Sequence, residues 1–242
     1  MTLALSTMSP SASIWTKALP AAHAHDFKSR TITIKVGQEP ECFYVNEAML
    51  RKTSKFFEKA LKEQWKEGNE REVRLPEMKP HTFNIYLNWA LTGKLFLEDG
   101  EEVWMSDNQI FDNIADSFVS GDMVFDSEFK DAVTDAAASL FASVRSGQGR
   151  WLLGSELRQY LYDNTSSSCA TLRRMLVRQL SMSSKLAELV SEDEPPASLY
   201  ELSVELAKGK SKAMEEFKKE VEDCEYHEHA PGADNCYRTR LH

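Results

Sequence analysis

The spacing of the hydrophobic residues changes along this chain from the period of a strand to that of a helix, and this change constrains the fold most. Ile32, Ile34 and Val36 alternate with polar residues, which is the pattern of a half-buried β-strand. Aromatic and β-branched runs at residues 42–45 and 73–75 indicate two more short strands. Most later hydrophobic residues recur at helical spacing. The order predicts an α+β domain that runs into an all-helical C-terminal extension.

Residues that favour the starts and ends of helices occur at several points in this pattern. Asn46 offers a side-chain oxygen as the N-cap of a short helix, and a second short helix follows at residues 56–61. Pro80 suits the first turn of a helix and Gly93 its end. Further helical patterns lie at residues 110–119, 129–144, 157–161, 172–180, 199–206 and 214–224.

Two segments are predicted to connect helices without joining their cores. Residues 146–150 contain two glycines and indicate a hinge, while residues 192–196 form an acidic linker with two prolines. Beyond the linker, Leu199, Leu202 and Leu206 are predicted to form one apolar helical stripe.

The charge balance argues against nucleic acid as a partner. Asp and Glu number 38 against 29 Lys and Arg, for a net charge of -9, so the long-range field would repel a phosphate backbone. Arg173, Arg174 and Arg178 lie on the polar side of a predicted helix. They are expected to form a solvated face or to contact an acidic partner.

The cysteine spacing and the lengths of the apolar runs indicate the cellular compartment that we expect for this chain. Cys42, Cys169, Cys224 and Cys236 are not spaced as a disulfide framework. No run approaches the roughly 20 apolar residues of a membrane helix, and the first residues do not resemble a secretory signal. We expect a soluble protein of the cytoplasm, the nucleus or both, with no membrane partner, and a disordered leader over residues 1–28.

Motifs of known catalytic mechanism are missing from the sequence. There is no phosphate-binding loop, nucleophile elbow or dinucleotide fingerprint. His81 falls within the predicted α+β domain, in the first turn of a helix, where an ordinary surface histidine is the more frequent case. The chain is therefore predicted not to be an enzyme, with no catalytic residues.

The C-terminal tail holds the one set of residues with metal-ligand chemistry. Cys224, His227, His229 and Cys236 have the spacing Cys-x2-His-x-His-x6-Cys, and two thiolates with two imidazoles satisfy tetrahedral zinc. A structural zinc ion is the only cofactor predicted. Two alternatives stay open at this level: a mobile polar terminus without metal, or Cys224 packed as a small hydrophobic residue.

Several short motifs over residues 29–145 together resemble the BTB/POZ domain, in the form common among fungal proteins. The order and the spacing of the motifs carry the resemblance more than any one of them. They are Val36-Gly37, Phe43-Tyr44-Val45-Asn46, Ser54-Lys55-Phe56-Phe57, Trp65-Lys66-Glu67, Leu75-Pro76-Glu77 and residues 83–93. The resemblance implies a short mixed sheet capped by helices. It divides the chain into a leader (1–28), the BTB/POZ domain (29–145), a helical extension (151–209), and a final helix with the Cys/His tail (210–242).

The resemblance implies a protein-interaction adaptor that self-associates as a homodimer or docks a partner. Some family members are substrate adaptors of cullin-3 ubiquitin ligases and use a hydrophobic-x-Glu triplet to receive the cullin. Trp65 and Glu67 match this triplet as candidate partner-binding residues. The alternative is that Trp65 is a core or edge aromatic and Glu67 a solvated charge.

A second function of another class is a nuclear, transcriptional regulator, in which the BTB/POZ domain oligomerises a zinc-binding tail. Such a tail would need basic residues around its ligands. Acidic residues instead surround them, with Arg238 and Arg240 the only basic residues that follow Cys236. The charge of the tail therefore favours the adaptor.

Overall fold

The computed structural model describes residues 28–62, 66–97, 107–142, 144–145, 149–150, 153–166, 171–209, 213–230 and 232–240. The strands are Thr31–Val36 (β1), Glu41–Asn46 (β2), Glu72–Leu75 (β3), Val144–Arg145 (β4) and Gly149–Arg150 (β5). The helices are Glu47–Thr53 (α1), Lys55–Ala60 (α2), Lys66–Glu70 (α3), Pro80–Thr92 (α4), Asp107–Met123 (α5), Ser127–Ala142 (α6), Ser155–Asn164 (α7), Thr171–Met182 (α8), Leu186–Leu189 (α9), Pro196–Ala207 (α10) and Met214–Glu222 (α11). Two 3₁₀ turns, Ala233–Asn235 and Tyr237–Arg240, follow in the tail.

The first three strands form a mixed sheet in the order β2-β1-β3. β1 is antiparallel to β2 and parallel to β3, with Ile34 opposite both Phe43 and Val73. Ile34 is fully buried, as its place on the central strand requires. A parallel neighbour needs a crossover of a dozen or more residues, and α1 to α3 supply it. The α+β domain with a short mixed sheet is therefore confirmed.

Capping residues mark the starts of α1 and α2 and the end of α4. Asn46 Oδ1 accepts a hydrogen bond from the backbone of Met49 at 3.2 Å, as predicted. The Ser54 hydroxyl caps α2 and also donates to the carbonyl of Val124 at 2.6 Å, which ties α2 to the turn between α5 and α6. Gly93 ends α4 with φ of 68°, a left-handed conformation that suits glycine.

The helical extension shares a hydrophobic core with the α+β domain. Buried side chains of the sheet and α4, such as Ile34 and Phe83, belong to the same packed cluster as Leu161 of α7, Met175 of α8 and Phe217 of α11. α5 packs against α7, and α6 against α8 and α11. The predicted all-helical extension is confirmed as a layer on α5 and α6. No described helix is long and apolar enough to cross a membrane.

The prediction of a solvated arginine face on α8 is wrong for two of the three residues. Arg173 and Arg178 are buried, and only Arg174 is exposed. α8 lies between α6, α7 and α10, so it has little outer face. The burial is tolerated because each guanidinium meets a carboxylate: Arg173 Nη2 lies 3.1 Å from Glu201, and Arg178 Nε lies 3.0 Å from Glu220.

Both predicted connecting segments are more ordered than expected. Val144–Arg145 pairs with Gly149–Arg150 as a short antiparallel ladder, so a strand pair flanks the supposed hinge; residues 146–148 lie outside the described part. In the predicted acidic linker, Glu194 is buried. Its carboxylate accepts hydrogen bonds from Nε and Nη2 of Arg158 at 2.8 and 2.5 Å.

The leucines of the predicted stripe lie on α10, but they do not form one buried face. Leu202 is buried, but Leu199 and Leu206 are more than 40% exposed. The helix is turned so that Glu201 and Glu205 approach Arg173 and Arg178. The buried arginines of α8 therefore decide which face of α10 points inward.

Candidate functional site

A groove of about 740 Å³ opens on the α+β domain beside α2, α3 and β3. Its apolar lining comes from Phe56, Ala60, Val73 and Phe125. The charged lining is Lys55, Lys59, Lys62, Glu67, Glu70, Glu72 and Arg74. An apolar floor with a charged rim has the composition of a protein-docking surface.

Phe125 is the most unusual residue of this groove. It stands in the turn between α5 and α6 with φ of 51°, and its side chain is 61% exposed. A left-handed conformation is costly for a bulky residue. Because the ring is exposed, burial within the chain does not offset this cost. Nothing in the sequence pattern distinguished Phe125, because neither its φ nor its exposure has a local signature.

The structure describes only part of the predicted partner-binding triplet. Glu67 is half-buried in α3 and lines the groove. Trp65 lies outside the described residues. The glutamate of the triplet therefore shares a surface with Phe56 and Phe125.

The four candidate metal ligands of the tail come together although they span thirteen positions. Their donor atoms all lie within 4.8 Å of one another. Sγ of Cys224 is 3.8 Å from Sγ of Cys236, which is 3.7 Å from Nδ1 of His227. Nδ1 of His227 is in turn 3.2 Å from Nε2 of His229. His227 offers Nδ1 and His229 offers Nε2. The two side chains can therefore approach one ion although only one residue separates them.

Three of the six separations are close to those of a tetrahedral metal centre. Bonds of about 2.3 Å from zinc to sulfur and about 2.0–2.1 Å to nitrogen would set tetrahedral ligands about 3.3–3.8 Å apart. The three distances above fall at or near this range. Burial and the neighbouring Cys236 raise the pKa of the Cys224 thiol to about 11 in the metal-free arrangement.

A carboxylate on α6 orients the first of these histidines. Oδ1 of Asp135 lies 2.9 Å from Nε2 of His227. A proton on Nε2 therefore satisfies Asp135 and leaves the lone pair of Nδ1 directed at the cluster. Burial alone would raise the pKa of Asp135, but hydrogen bonds from His227, Arg238 and Tyr237 outweigh burial and hold the pKa below its ordinary value.

Other contacts hold the tail against the α+β domain. The backbone N–H of Glu228 donates to Asp131 of α6 at 2.7 Å, and burial raises the pKa of Asp131 to about 7. The Tyr237 ring meets Trp89 of α4 edge-on at 5.3 Å. The sequence did not reveal Asp131, Asp135 or Trp89 as partners, because 92 or more positions separate each pair. His81, set aside earlier, is exposed in the first turn of α4.

Comparison with known proteins agrees with this architecture. The family model of the BTB/POZ domain matches residues 25–112, which extend from the segment before β1 into α5. No curated protein matches the chain. BTB domains are in general interaction modules. The match and the mixed sheet with its covering helices together show that this chain has a BTB/POZ fold, which runs into an all-helical extension.

Proposed function

We propose that this chain is a non-catalytic adaptor whose BTB/POZ domain docks cullin-3 in the groove beside α2 and β3. The helical extension would then carry a second protein, the substrate of the ligase. The observation that carries the proposal is the position of Glu67 on the same groove as the exposed Phe125. Self-association through the BTB/POZ domain is part of the same proposal.

The chemistry of the groove suits a helical or extended protein segment. Phe56 and Phe125 supply aromatic surface of the kind that dominates binding energy, and lysines and glutamates form the rim. The strain held at Phe125 supports this function, because such conformations persist where they serve binding. Its exposed ring would become buried only in a complex.

The test is to measure the affinity of cullin-3 for the full chain and for two variants, Phe125→Ala in the groove and Trp65→Ala in the triplet predicted from the sequence. Each variant should weaken binding about tenfold or more, as expected for an aromatic anchor. Tyr44→Ala is the matched control, since Tyr44 is 75% exposed on β2 and does not line the groove. Light scattering on the same samples gives the mass of the chain with and without cullin. Equal affinities for all variants, or no complex with the wild-type chain, would contradict the proposal.

We also propose that Cys224, His227, His229 and Cys236 bind one structural zinc ion. The ion would act as a cross-link within the tail, with no step of chemistry assigned to it. The donor set and its spacing support zinc over harder cations, which prefer oxygen ligands. Metal analysis of the purified chain should give one zinc per chain, and Cys236→Ser should lower the zinc content strongly. Equal zinc content in both proteins would refute the site.

The packing of the tail supports the adaptor over a nucleic-acid-binding regulator. His227 and Tyr237 face α6 and α4, so the cluster lies against the BTB/POZ domain. Acidic residues at Asp131, Asp135 and Glu228 surround it. A module that contacts phosphates would need a basic surface at this position.

A further inference from the structure

Helix α10 has its charged residues inside and its apolar residues outside. Its only charged residues are Glu201 and Glu205, and both face α8. Its exposed residues are all uncharged: Pro196, Ala197, Leu199, Tyr200, Ser203, Val204, Leu206 and Ala207. Tyr200 is 70% exposed, whereas large aromatic side chains are mostly buried in folded proteins. An amphipathic surface helix has the opposite arrangement.

The inward glutamates fix this orientation. Glu201 accepts hydrogen bonds from Tyr162 at 2.6 Å and from Arg173 at 3.1 Å. Glu205 lies beside Arg178 and also pairs with Lys208. Turning α10 to bury its leucines would take Glu201 away from the buried Arg173, which is strongly unfavourable. Arg178 would lose Glu205 and keep only Glu220 of α11. The apolar face must therefore stay outward in the folded chain.

We infer that this outer face of α10 is a self-association surface on which a second copy of the chain lays the same face, antiparallel to the first. A two-fold pair brings each surface against itself, so any charge on it would meet a like charge. The chain as a whole carries a net charge of -9, yet this face carries none. It is thus a surface on which two acidic copies can meet without repulsion.

The charges at the two ends of α10 favour the antiparallel direction. Glu192 and Asp193 are exposed before its first turn, and Lys208 is exposed after its last. Antiparallel pairing brings the lysine of one copy toward the acids of the other, and it also opposes the two helix dipoles favourably. Parallel pairing would set acid beside acid. The charge arrangement therefore selects a second copy in one orientation.

A groove beside the outer face of α10 can receive the Tyr200 side chain of the second copy. It measures about 260 Å³. Val177, Tyr200, Val204 and Tyr226 line it together with charged side chains of both signs, namely Arg174, Arg178, Glu201, Glu205, Lys208 and Glu225. In an antiparallel pair centred near Ser203, Tyr200 of one copy lies opposite Leu206 of the other, between Val204 and Lys208, which both line the groove. Aromatic residues in such pockets are typical anchors of an interface.

The first test compares Tyr200→Glu with Tyr44→Glu in the full chain by light scattering. Both variants place the same charge at a tyrosine of similar exposure, 70% and 75%. Tyr200→Glu should at least halve the molar mass relative to wild type, whether or not the BTB/POZ domain also self-associates, because it places a charge on each of the two apolar faces that meet. Tyr44→Glu should leave the mass unchanged. A monomeric wild-type chain, or an equal mass for all three proteins, overturns the inference. Cullin-3 binding by Tyr200→Glu should be unchanged, which separates this result from the proposed cullin docking.

The second test locates the axis directly. In a Cys42→Ser background, Ser203→Cys should form an intermolecular disulfide under mild oxidation, because antiparallel helices at contact bring facing residues within disulfide range near the axis. Ser139→Cys, an exposed position on α6, is the matched control and should remain monomeric on a non-reducing gel. Equal cross-linking of the two variants, or none at Ser203→Cys, would refute pairing through α10.

Discussion

The carboxylate of Asp135 on α6 lies 2.9 Å from Nε2 of His227 in the tail, across 92 positions of sequence. The same carboxylate accepts hydrogen bonds from Arg238 and Tyr237. One acid of α6 thus joins the candidate metal ligand to the last described turn of the chain. The metal site and the docking of the tail are therefore expected to depend on each other.

Replacing this acid should weaken the proposed zinc site without removing a ligand. Asp135→Asn keeps the size of the side chain but cannot hold the Nε2 proton of His227 as strongly, and loss of such an outer partner costs about 10–100-fold in metal affinity. Competition with a coloured chelator measures the change. Asp112→Asn, at an exposed position on α5, is the control. An unchanged affinity in Asp135→Asn would show that the carboxylate does not support the ligand.

Removing zinc should loosen the tail and spare the sheet. A chelator would leave the four donors without their cross-link, so hydrogen exchange should speed up over residues 223–240. The amides of β1, fully paired between β2 and β3, should exchange as before. Faster exchange throughout the chain, or no change in the tail, would contradict a local zinc clamp.

The Arg158–Glu194 pair should be essential to the stability of the helical extension. Both side chains are at most 2% exposed, and Arg158 also donates to the carbonyl of Leu189 at 2.9 Å. Arg158→Ala leaves a buried carboxylate unpaired and should cost about 3–5 kcal/mol of unfolding free energy. Lys185→Ala breaks the exposed pair with Glu188 and should cost about 0–1 kcal/mol. Denaturant unfolding compares the two variants, and similar losses would contradict the account.

The same pair predicts how the chain responds to acid. Burial alone would raise the pKa of Glu194, but hydrogen bonds from Arg158 and Ser198 hold the pKa below its ordinary value. A lowered pKa in the folded chain means stability that is present above the unfolded value and is lost as pH falls through the folded value. Thermal unfolding from pH 6 downward should show this loss below about pH 4.5. Glu194→Gln should have a flatter acid limb and a lower melting temperature at pH 6, and an unchanged acid limb would refute the assignment.

The local part of this fold was predictable because its signals are local. The alternation at Ile32, Ile34 and Val36 gave β1, the cap at Asn46 gave the start of α1, and the ligand types gave the tail cluster. The long-range part of the fold was not predictable from the sequence. The burial of Arg173 and Arg178 depends on glutamates of α10 and α11, and these reverse the face of α10.

The missed functional residues share the same cause. Asp135 belongs to an ordinary helical pattern on α6, and only the folded chain brings it to His227. Phe125 looks like one more core aromatic until its exposure and positive φ are known. A sequence pattern reports spacing along one element, while these roles arise between elements.

The central claim is that the BTB/POZ domain receives cullin-3 in the groove, and hydrogen exchange of the full chain with and without cullin-3 tests it most directly. The account predicts slower exchange in α2 and β3, whose residues line the groove, and unchanged exchange in α10. Unchanged exchange in α2 and β3 at saturating cullin-3, or slowing confined to α10, would contradict it.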